Sequence, residues 1–238
     1  MQIDGLMNSS GKQILIIKGS MGELTLDDTI QSIGGELLQL PSPKIATFAA
    51  SCSERFIGFY EEFAAKANWK PFALIREALN AVWSFLCGDV ASREDLLKAL
   101  YTVEELTPHS DDFDIDEAIF AQDACICIRD AILWCLGRSD AAFAVVEFSF
   151  EALRFGRCIA NTGYIQLGST VEGAEFEKLL MHDSIVCTEY ELQRKDLELL
   201  QTVELSPDVV NSMRLRAEQN RWSVEKVLKP ADNSSADY

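Results

Sequence analysis

The feature that most constrains this chain is a long apolar run near its middle. Between Ile119 and Leu136 the only polar residues are Gln122, Asp123, Arg129 and Asp130. At about 100° per residue these four lie on one side of a helix, so most of its circumference is apolar. Such a helix has to be covered by other helices. The sequence therefore predicts a central buried helix over about 111–136.

The same run is too short and too polar to cross a bilayer, because carboxylates in its middle would be strongly destabilised in hydrocarbon. Hydrophobic residues make up 48% of the 238 residues, which is enough material for a sizeable core. No linker rich in Pro, Gly and Ser divides the chain. We therefore expect an all-α, single-domain multi-helix bundle.

Apolar spacing, prolines and capping residues predict where the other helices begin and end. Helices are expected over about 25–40, 44–67, 71–88, 92–105, 140–160, 174–203 and 206–220. The helix over 174–203 is expected to break near His182 and Asp183. The helical domain then spans 25–228, with 1–24 as an N-terminal extension containing one short strand, 161–173 as a loop and 229–238 as a polar, disordered tail.

The composition favours a protein partner over other macromolecules. The formal net charge of −17 opposes binding to nucleic acid and to anionic membranes, because both need a basic surface. An acidic surface suits a basic protein partner, and a homodimer is also compatible with the sequence. The alternative is that the charge only keeps the protein apart from its neighbours in solution.

The cysteines indicate a reducing compartment. The seven cysteines lie mostly inside apolar helical runs rather than in turns, as is typical of buried thiols. Their odd number and the absence of a signal peptide predict a cytoplasmic protein. Cys125 and Cys127 are two residues apart on a helix, so they point to different sides and cannot hold one metal ion together.

Three blocks resemble a known bacterial family. The first block is F-A-x-x-C-x-E-R followed by Tyr and Phe, matched by Phe48, Ala49, Cys52, Glu54, Arg55, Tyr60 and Phe63. The second comprises Ser110, Asp111, Asp112, Phe113 and Asp114 with Asp123, Ala124 and Cys125, and the third comprises Glu189, Gln193 and the leucines up to Leu200. Together they cover about 30–228.

This pattern is similar to the family typified by the YjaG proteins and known as domain of unknown function 416. The chain looks like a divergent member, because Gly58 stands where the family usually has Pro and Ser223 and Val224 only loosely match its S-N-I-G. The resemblance implies an all-helical fold with no established activity. Its link to signalling comes from genomic neighbourhood alone.

The carboxylates of the central helix have two interpretations. Asp116, Asp123 and Asp130 recur every seven residues and so form one stripe. The first interpretation is a narrow solvated edge on which Asp123 pairs with Arg55, because Arg55 lies at the edge of the apolar face of its own helix. Glu54 points well away from that face.

The second interpretation is a carboxylate site for a metal or for acid–base chemistry. Asp111, Asp112 and Asp114 would converge there with Glu54. The simpler explanation of the acidic run is that it occupies the first turn of the helix, capped by Ser110 or Asp111, where the helix dipole favours negative charge.

Motifs for catalysis and cofactors are missing from the sequence. There is no G-x-x-x-x-G-K-[ST], G-x-G-x-x-G, H-E-x-x-H or G-x-S-x-G, and no Glu-x-x-His pair for a di-iron bundle. We therefore predict no cofactor, no metal and no catalytic residue. The expected function is a non-enzymatic, acidic, helical protein-binding module, such as an immunity protein or antitoxin that neutralises a basic partner. A signalling adaptor and a carboxylate-dependent metal enzyme are the alternatives.

Overall fold

A computed structural model describes residues 4–7, 13–16, 25–89, 91–138, 142–160 and 173–230. Near the N-terminus, β1 (Asp4–Met7) and β2 (Gln13–Ile16) pair as an antiparallel hairpin, with Asp4 opposite Ile16. The predicted short strand thus has a partner strand just before it. The predicted loop over 161–173 and the predicted tail beyond 230 lie outside the described residues, apart from Gly173.

The rest of the described chain is all-α, as predicted, and this part of the chain contains ten α-helices. Their bounds are α1 Leu26–Leu37, α2 Ser42–Lys66, α3 Phe72–Leu86, α4 Arg93–Leu106, α5 Glu117–Cys135, α6 Ala142–Ala160, α7 Gly173–Leu180, α8 Ser184–Thr202, α9 Pro207–Gln219 and α10 Val224–Leu228. A short 3-10 turn, Ser110–Asp112, precedes α5.

Local sequence signals account for most helix boundaries. Thr25 and Ser92 begin α1 and α4 with reciprocal capping boxes, in which each hydroxyl accepts from the N–H three residues on. Ser206 caps α9 directly before Pro207, whose missing N–H costs nothing in a first turn. Asp183 accepts from the Ile185 N–H and starts α8 after α7 has ended, which confirms the predicted break.

The core lies along the pair α2 and α5. Sixteen of the 25 residues of α2 are buried, so it is enclosed at least as fully as the predicted central helix α5. The Phe120 ring of α5 packs 5.1 Å from Phe59 of α2 and 5.6 Å from Phe155 of α6, measured between ring centroids. Side chains from α2, α5 and α6 therefore share one hydrophobic core.

The start of α5 differs from the prediction. The helix begins at Glu117, and its N-cap, Asp116, makes no side-chain capping bond. Ser110–Asp112 instead form their own turn, held by the Ser110 N–H donating to Gln122 Oε1 at 3.1 Å. The acidic run therefore precedes the helix rather than occupying its first turn, and the helix-dipole explanation applies to Glu117 alone.

None of the described helices combines the length and the apolar character that crossing a bilayer requires.

Candidate functional site

A buried ion pair joins α2 to α8. The Arg55 guanidinium donates to both carboxylate oxygens of Glu189, with Nη2 2.7 Å from Oε1 and Nε 3.0 Å from Oε2. Its Nη1 donates to Asp196 Oδ2 at 2.8 Å. The side chains of Arg55, Glu189 and Asp196 are at most 1% exposed. Arg55 thus bridges two carboxylates that lie two turns apart on one face of α8.

Further donors complete the hydrogen bonding of these carboxylates. Ser51 and Arg216 both donate to Asp196, and Gln193 Nε2 donates to Glu189 Oε1 at 3.0 Å. The indole N–H of Trp222 donates to Glu189 Oε2 at 2.8 Å. We call Ser51, Arg55, Glu189, Gln193, Asp196, Arg216 and Trp222 the Arg55 network. Elements α2, α8, α9 and the segment after α9 all contribute to it, so it fixes their relative register.

Glu54, the neighbour of Arg55, is the centre of a second buried cluster. Its side chain is fully buried, although the sequence placed it away from the apolar face. Arg76 of α3 donates to both its oxygens at 2.8 Å, and the Trp83 indole N–H donates to Oε2 at 3.0 Å. Arg221 also donates to Glu54 Oε1. Glu54 is buried because α3 and the chain after α9 supply cationic partners on that side of α2.

Residues 221–230, which we call the C-terminal strap, lie across α2 and α6. The Trp222 N–H donates to the Arg55 carbonyl at 2.7 Å, and a Cβ on Gly58 would lie 2.5 Å from the Trp222 carbonyl oxygen. On α6, Arg157 donates to the carbonyls of Val227 and Lys229. Glycine at 58 allows this close approach because it has no side chain.

The ionised groups of the Arg55 network are all paired, although Gln193 Oε1 is buried with no partner among the described residues. Burial is the largest influence on Arg55 and opposes its charge, but Glu189, Cys52 and Asp196 outweigh it and raise the pKa of the guanidinium. Burial raises the pKa of the adjacent Cys52 thiol well above its usual range, although Arg55 lowers it. A protonated, enclosed thiol is a poor nucleophile. The network therefore serves the fold.

The predicted ion pair between Arg55 and Asp123 was wrong. Arg55 pairs with Glu189 and Asp196 on α8, whereas Asp123 on α5 lies near Glu151 of α6. Asp130, which we expected on a solvated edge, is fully buried beside Arg129. The spacing of seven residues placed the aspartates on one stripe correctly, but neighbouring helices cover the C-terminal part of that stripe.

A concave surface between α1 and α6 collects carboxylates. We call it the acidic cleft; it has a volume of about 420 Å³ and is lined by Asp27, Ile30, Gln31, Glu147 and Glu151. Asp123 and Glu177 lie close enough to Glu151 for its charge to raise the pKa of both. Arg154 forms ion pairs at 3.2 Å with both Glu151 and Glu177. Among the described residues, Arg154 is the one arginine that pairs with any of these five carboxylates, and it pairs with two of them.

Burial and mutual repulsion perturb the acids around the cleft. Burial and then Glu151 raise the pKa of Asp123 to about 7 from its ordinary 3.8. Burial also raises the pKa of Glu151 and of Glu177, and nearby acids add to this effect while Arg154 opposes it. The cleft therefore carries negative potential that its single arginine does not balance.

The remaining predicted site residues do not assemble. Asp111, Asp112 and Asp114 are exposed on the turn and loop before α5, whereas Glu54 is buried among arginines. The acidic convergence required for a carboxylate enzyme site is therefore not formed by these residues. Across the described parts of the chain, no group of three or more His, Cys, Asp or Glu is arranged to hold a metal ion.

The sequence did not predict Asp196 as a member of the Arg55 network. Glu189 and Gln193 were identified only as part of the family resemblance. Positions 189, 193 and 196 have the spacing of one helical face, so three polar residues on one side of α8 were a readable signal. Glu147 and Glu151 were also missed. They are one turn apart on α6, but only the packing of α1 against α6 makes a cleft beside them.

The fold and these sites define a helical-bundle protein. Buried ion pairs join α2 to α3 and α8, and the C-terminal strap lies across α2 and α6. The chain belongs to the DUF416 family, proteins of unknown function, because that family's sequence profile matches residues 32–224. This confirms the predicted resemblance.

A solved structure agrees with this assignment. The crystal structure of a DUF416 family protein from Shewanella baltica, at 1.91 Å resolution, is similar to this fold with a TM-score of 0.66. The sequences are 20% identical, and the match covers 80% of this chain and 95% of that chain. At this identity the likeness concerns the fold alone. No curated protein matches the chain.

Proposed function

We propose that this chain is a non-enzymatic binding module whose acidic cleft accepts basic side chains of a protein partner. The observation that carries the proposal is a concave surface lined by Asp27, Glu147 and Glu151, beside which Arg154 pairs with Glu151 and Glu177 and Asp123 lies near Glu151. Perturbed acids in a cleft are candidates for a functional site because the fold maintains their unfavourable charge. A lysine or arginine from a partner would supply the missing positive charge.

The form of the cleft suits long basic side chains. Ile30 is an apolar lining residue that is 6% exposed, while the lining residues Asp27 and Glu147 are exposed. The hydrocarbon part of a lysine or arginine can lie on the former while its charged end reaches the latter. The overall charge of −17 would also attract a basic partner from a distance and speed association.

The role that follows is neutralisation of a basic protein by covering it, as an immunity protein or antitoxin does. The cytoplasm is the proposed location, supported by seven cysteines that are all free thiols. An acidic module that covers a basic surface needs no cofactor.

A paired-variant binding experiment tests the proposal. The cleft variant carries Glu147→Gln and Glu151→Gln, and the matched control carries Glu104→Gln and Asp111→Asn, two exposed positions on other elements. Both lose two negative charges. Basic proteins that the wild-type protein captures from a lysate at low salt are purified. Calorimetry then measures their affinities for the wild type, the cleft variant and the control variant.

The expected result is that the cleft variant binds its partner at least about tenfold more weakly than the control does, which corresponds to about 1.4 kcal/mol. Raising the salt concentration should weaken the binding of wild type and control because ions screen the attraction. Equal affinities of the cleft and control variants, or no basic protein recovered at low salt, would overturn the proposal.

A further inference from the structure

Three arginines from different elements lie close together beside Glu54 and Glu218, and we call them the arginine face. Arg76 is on α3, Arg214 is on α9 and Arg221 is the first residue of the C-terminal strap. Arg76 and Arg221 both donate to Glu54. Arg214 Nε donates to Glu218 Oε1 at 3.1 Å, and Arg221 Nη2 lies 4.0 Å from the same oxygen.

The arginine face has more positive than negative charge. Its three guanidiniums are matched by two carboxylates, Glu54 and Glu218. The second partner of Arg214 is the neutral Asn80, whose Oδ1 accepts from Nη2 at 2.8 Å. This excess occurs in a chain whose net charge is −17. It is therefore a local feature of three converging elements rather than a consequence of composition.

The guanidiniums also retain unused donors. Arg214 and Arg221 each employ Nε and Nη2, and their Nη1 groups donate to no acceptor in the described part of the chain. Their side chains are 30% and 35% exposed, so these donors can reach a ligand. Arg76 Nε is buried and has no partner among the described residues.

Burial of Glu54 alone does not require all three arginines. Arg76 already contacts both carboxylate oxygens, and Trp83 adds a third donor. Burial lowers the pKa of Arg76, and the nearby Arg221 and Arg214 lower it further against the opposing effect of Glu54 and Glu218. An added anion would relieve this repulsion between the arginines.

We propose that the arginine face binds a soluble phosphate-type oxyanion, with Arg214 and Arg221 as its principal donors. A planar guanidinium presents paired N–H groups that match the oxygen spacing of phosphate. Two of them on adjacent elements give a site for an anion with several charged oxygens. This site lies on α3, α9 and the strap, apart from the acidic cleft between α1 and α6, so it does not depend on the proposed protein-binding function.

Titration with pyrophosphate and with inorganic phosphate tests this site. Arginine Nε–H resonances of the full chain are followed by NMR at constant ionic strength, with chloride as the reference anion, and the dissociation constant is measured by calorimetry. The variant Arg214→Gln removes one principal donor. Arg138→Gln, an exposed arginine in the turn after α5, removes the same charge elsewhere.

We expect saturable binding of pyrophosphate that shifts the resonances of Arg214 and Arg221. Arg214→Gln should weaken it by about tenfold or more, and Arg138→Gln by less than about twofold, because only the former removes one of the two unused Nη1 donors of the site. Arg214→Lys should recover part of the loss. If Arg214→Gln fails to fold, the wild-type titration tests the site: pyrophosphate must then shift the Nε–H resonances of Arg214 and Arg221 in a saturable way.

The absence of saturable binding by the wild type would overturn the proposal. So would equal losses in the Arg214 and Arg138 variants, because a diffuse electrostatic effect would then account for the binding.

Discussion

Arg55 and Glu189 form a doubly hydrogen-bonded ion pair that is closed off from solvent at the contact of α2 with α8. They are 134 residues apart in the sequence. Asp196 and the Trp222 indole extend the pair to α9 and to the C-terminal strap. One arginine thus connects the N-terminal half of the bundle with three elements of its C-terminal half.

We predict that Arg55→Met strongly destabilises the fold. It leaves Glu189 and Asp196 buried without their main cation, and breaking a buried ion pair from one side costs about 3–5 kcal/mol. Urea unfolding followed by circular dichroism measures the loss. The matched control is Arg194→Met on α8, whose pair with Glu36 is partly exposed. That variant should lose at most about 1 kcal/mol, and equal losses would contradict the prediction.

The glycine at position 58 is expected to be required by the strap. A Cβ there would lie 2.5 Å from the backbone carbonyl oxygen of Trp222, so Gly58→Ala must displace the strap. We expect a loss of about 1–3 kcal/mol, as for other overpacked positions. Hydrogen exchange of the Trp222 N–H, which donates to the Arg55 carbonyl, should also accelerate.

Gly35 in α1 is the matched control for Gly58. A Cβ there would meet nothing within 4 Å, and the residue is exposed within a helix. Gly35→Ala should therefore raise the free energy of unfolding by up to about 1 kcal/mol, because alanine has the higher helix propensity. Changes of the same sign in both variants would show that contact with the strap does not govern Gly58.

The cysteines should separate into two reactivity classes. Cys52, Cys125 and Cys127 are buried, and burial raises the pKa of each thiol, that of Cys125 to about 12. Burial also raises the pKa of the partly exposed Cys87 and Cys158, so these two thiols should react with iodoacetamide at mildly alkaline pH, while the buried three remain unlabelled until the protein unfolds. Mass spectrometry of labelled peptides measures this, and native labelling of Cys125 would contradict the buried core of α5.

Much of the fold was predictable because its signals are local. The Ser206–Pro207 start of α9 and the break before Asp183 follow from capping chemistry within a few residues. The acidic run before α5 was assigned to the helix because carboxylates favour helix N-termini. The bond from the Ser110 N–H to Gln122, which holds a separate turn, involves a residue twelve positions away.

The pairing of the charged residues was not predictable in the same way. Helical spacing placed Arg55 at the edge of a core face, but it does not state which helix covers that edge. The sequence suggested Asp123, and the fold supplied Glu189. Glu54 was placed away from the core because helical spacing puts it off the apolar face of its helix. It is buried because Arg76, on the next helix, and Arg221, 167 residues further along the chain, both pair with it.

Asp123 should make the stability of the protein fall as pH rises. Its pKa is about 7 in the folded state, above the ordinary 3.8, because burial and Glu151 disfavour the charged form. Between these two pH values the folded protein retains a proton that the unfolded chain has released. The contribution of Asp123 to the free energy of unfolding therefore decreases from about pH 4 to about pH 7. Above that range, the full destabilisation by its buried negative charge is present.

The variant Asp123→Asn removes this cost while keeping the size of the side chain. At about pH 8 it should be more stable than the wild type by a few kcal/mol, at about 1.4 kcal/mol per unit of pKa shift. The difference should approach zero below about pH 3, where the wild-type carboxyl is protonated in both the folded and the unfolded state. Urea denaturation at a series of pH values measures the curve, and Asp111→Asn, at an exposed position before α5, is the control for a lost charge.

The same substitution connects stability with the proposed binding. If the acidic cleft takes a basic partner, Asp123→Asn should bind that partner more weakly even though its fold is more stable, because it lacks one charge beside Glu151. Wild-type binding should also weaken as the pH falls below about 7 and Asp123 takes up its proton. A variant that gained stability and kept full affinity at every pH would separate Asp123 from the binding surface.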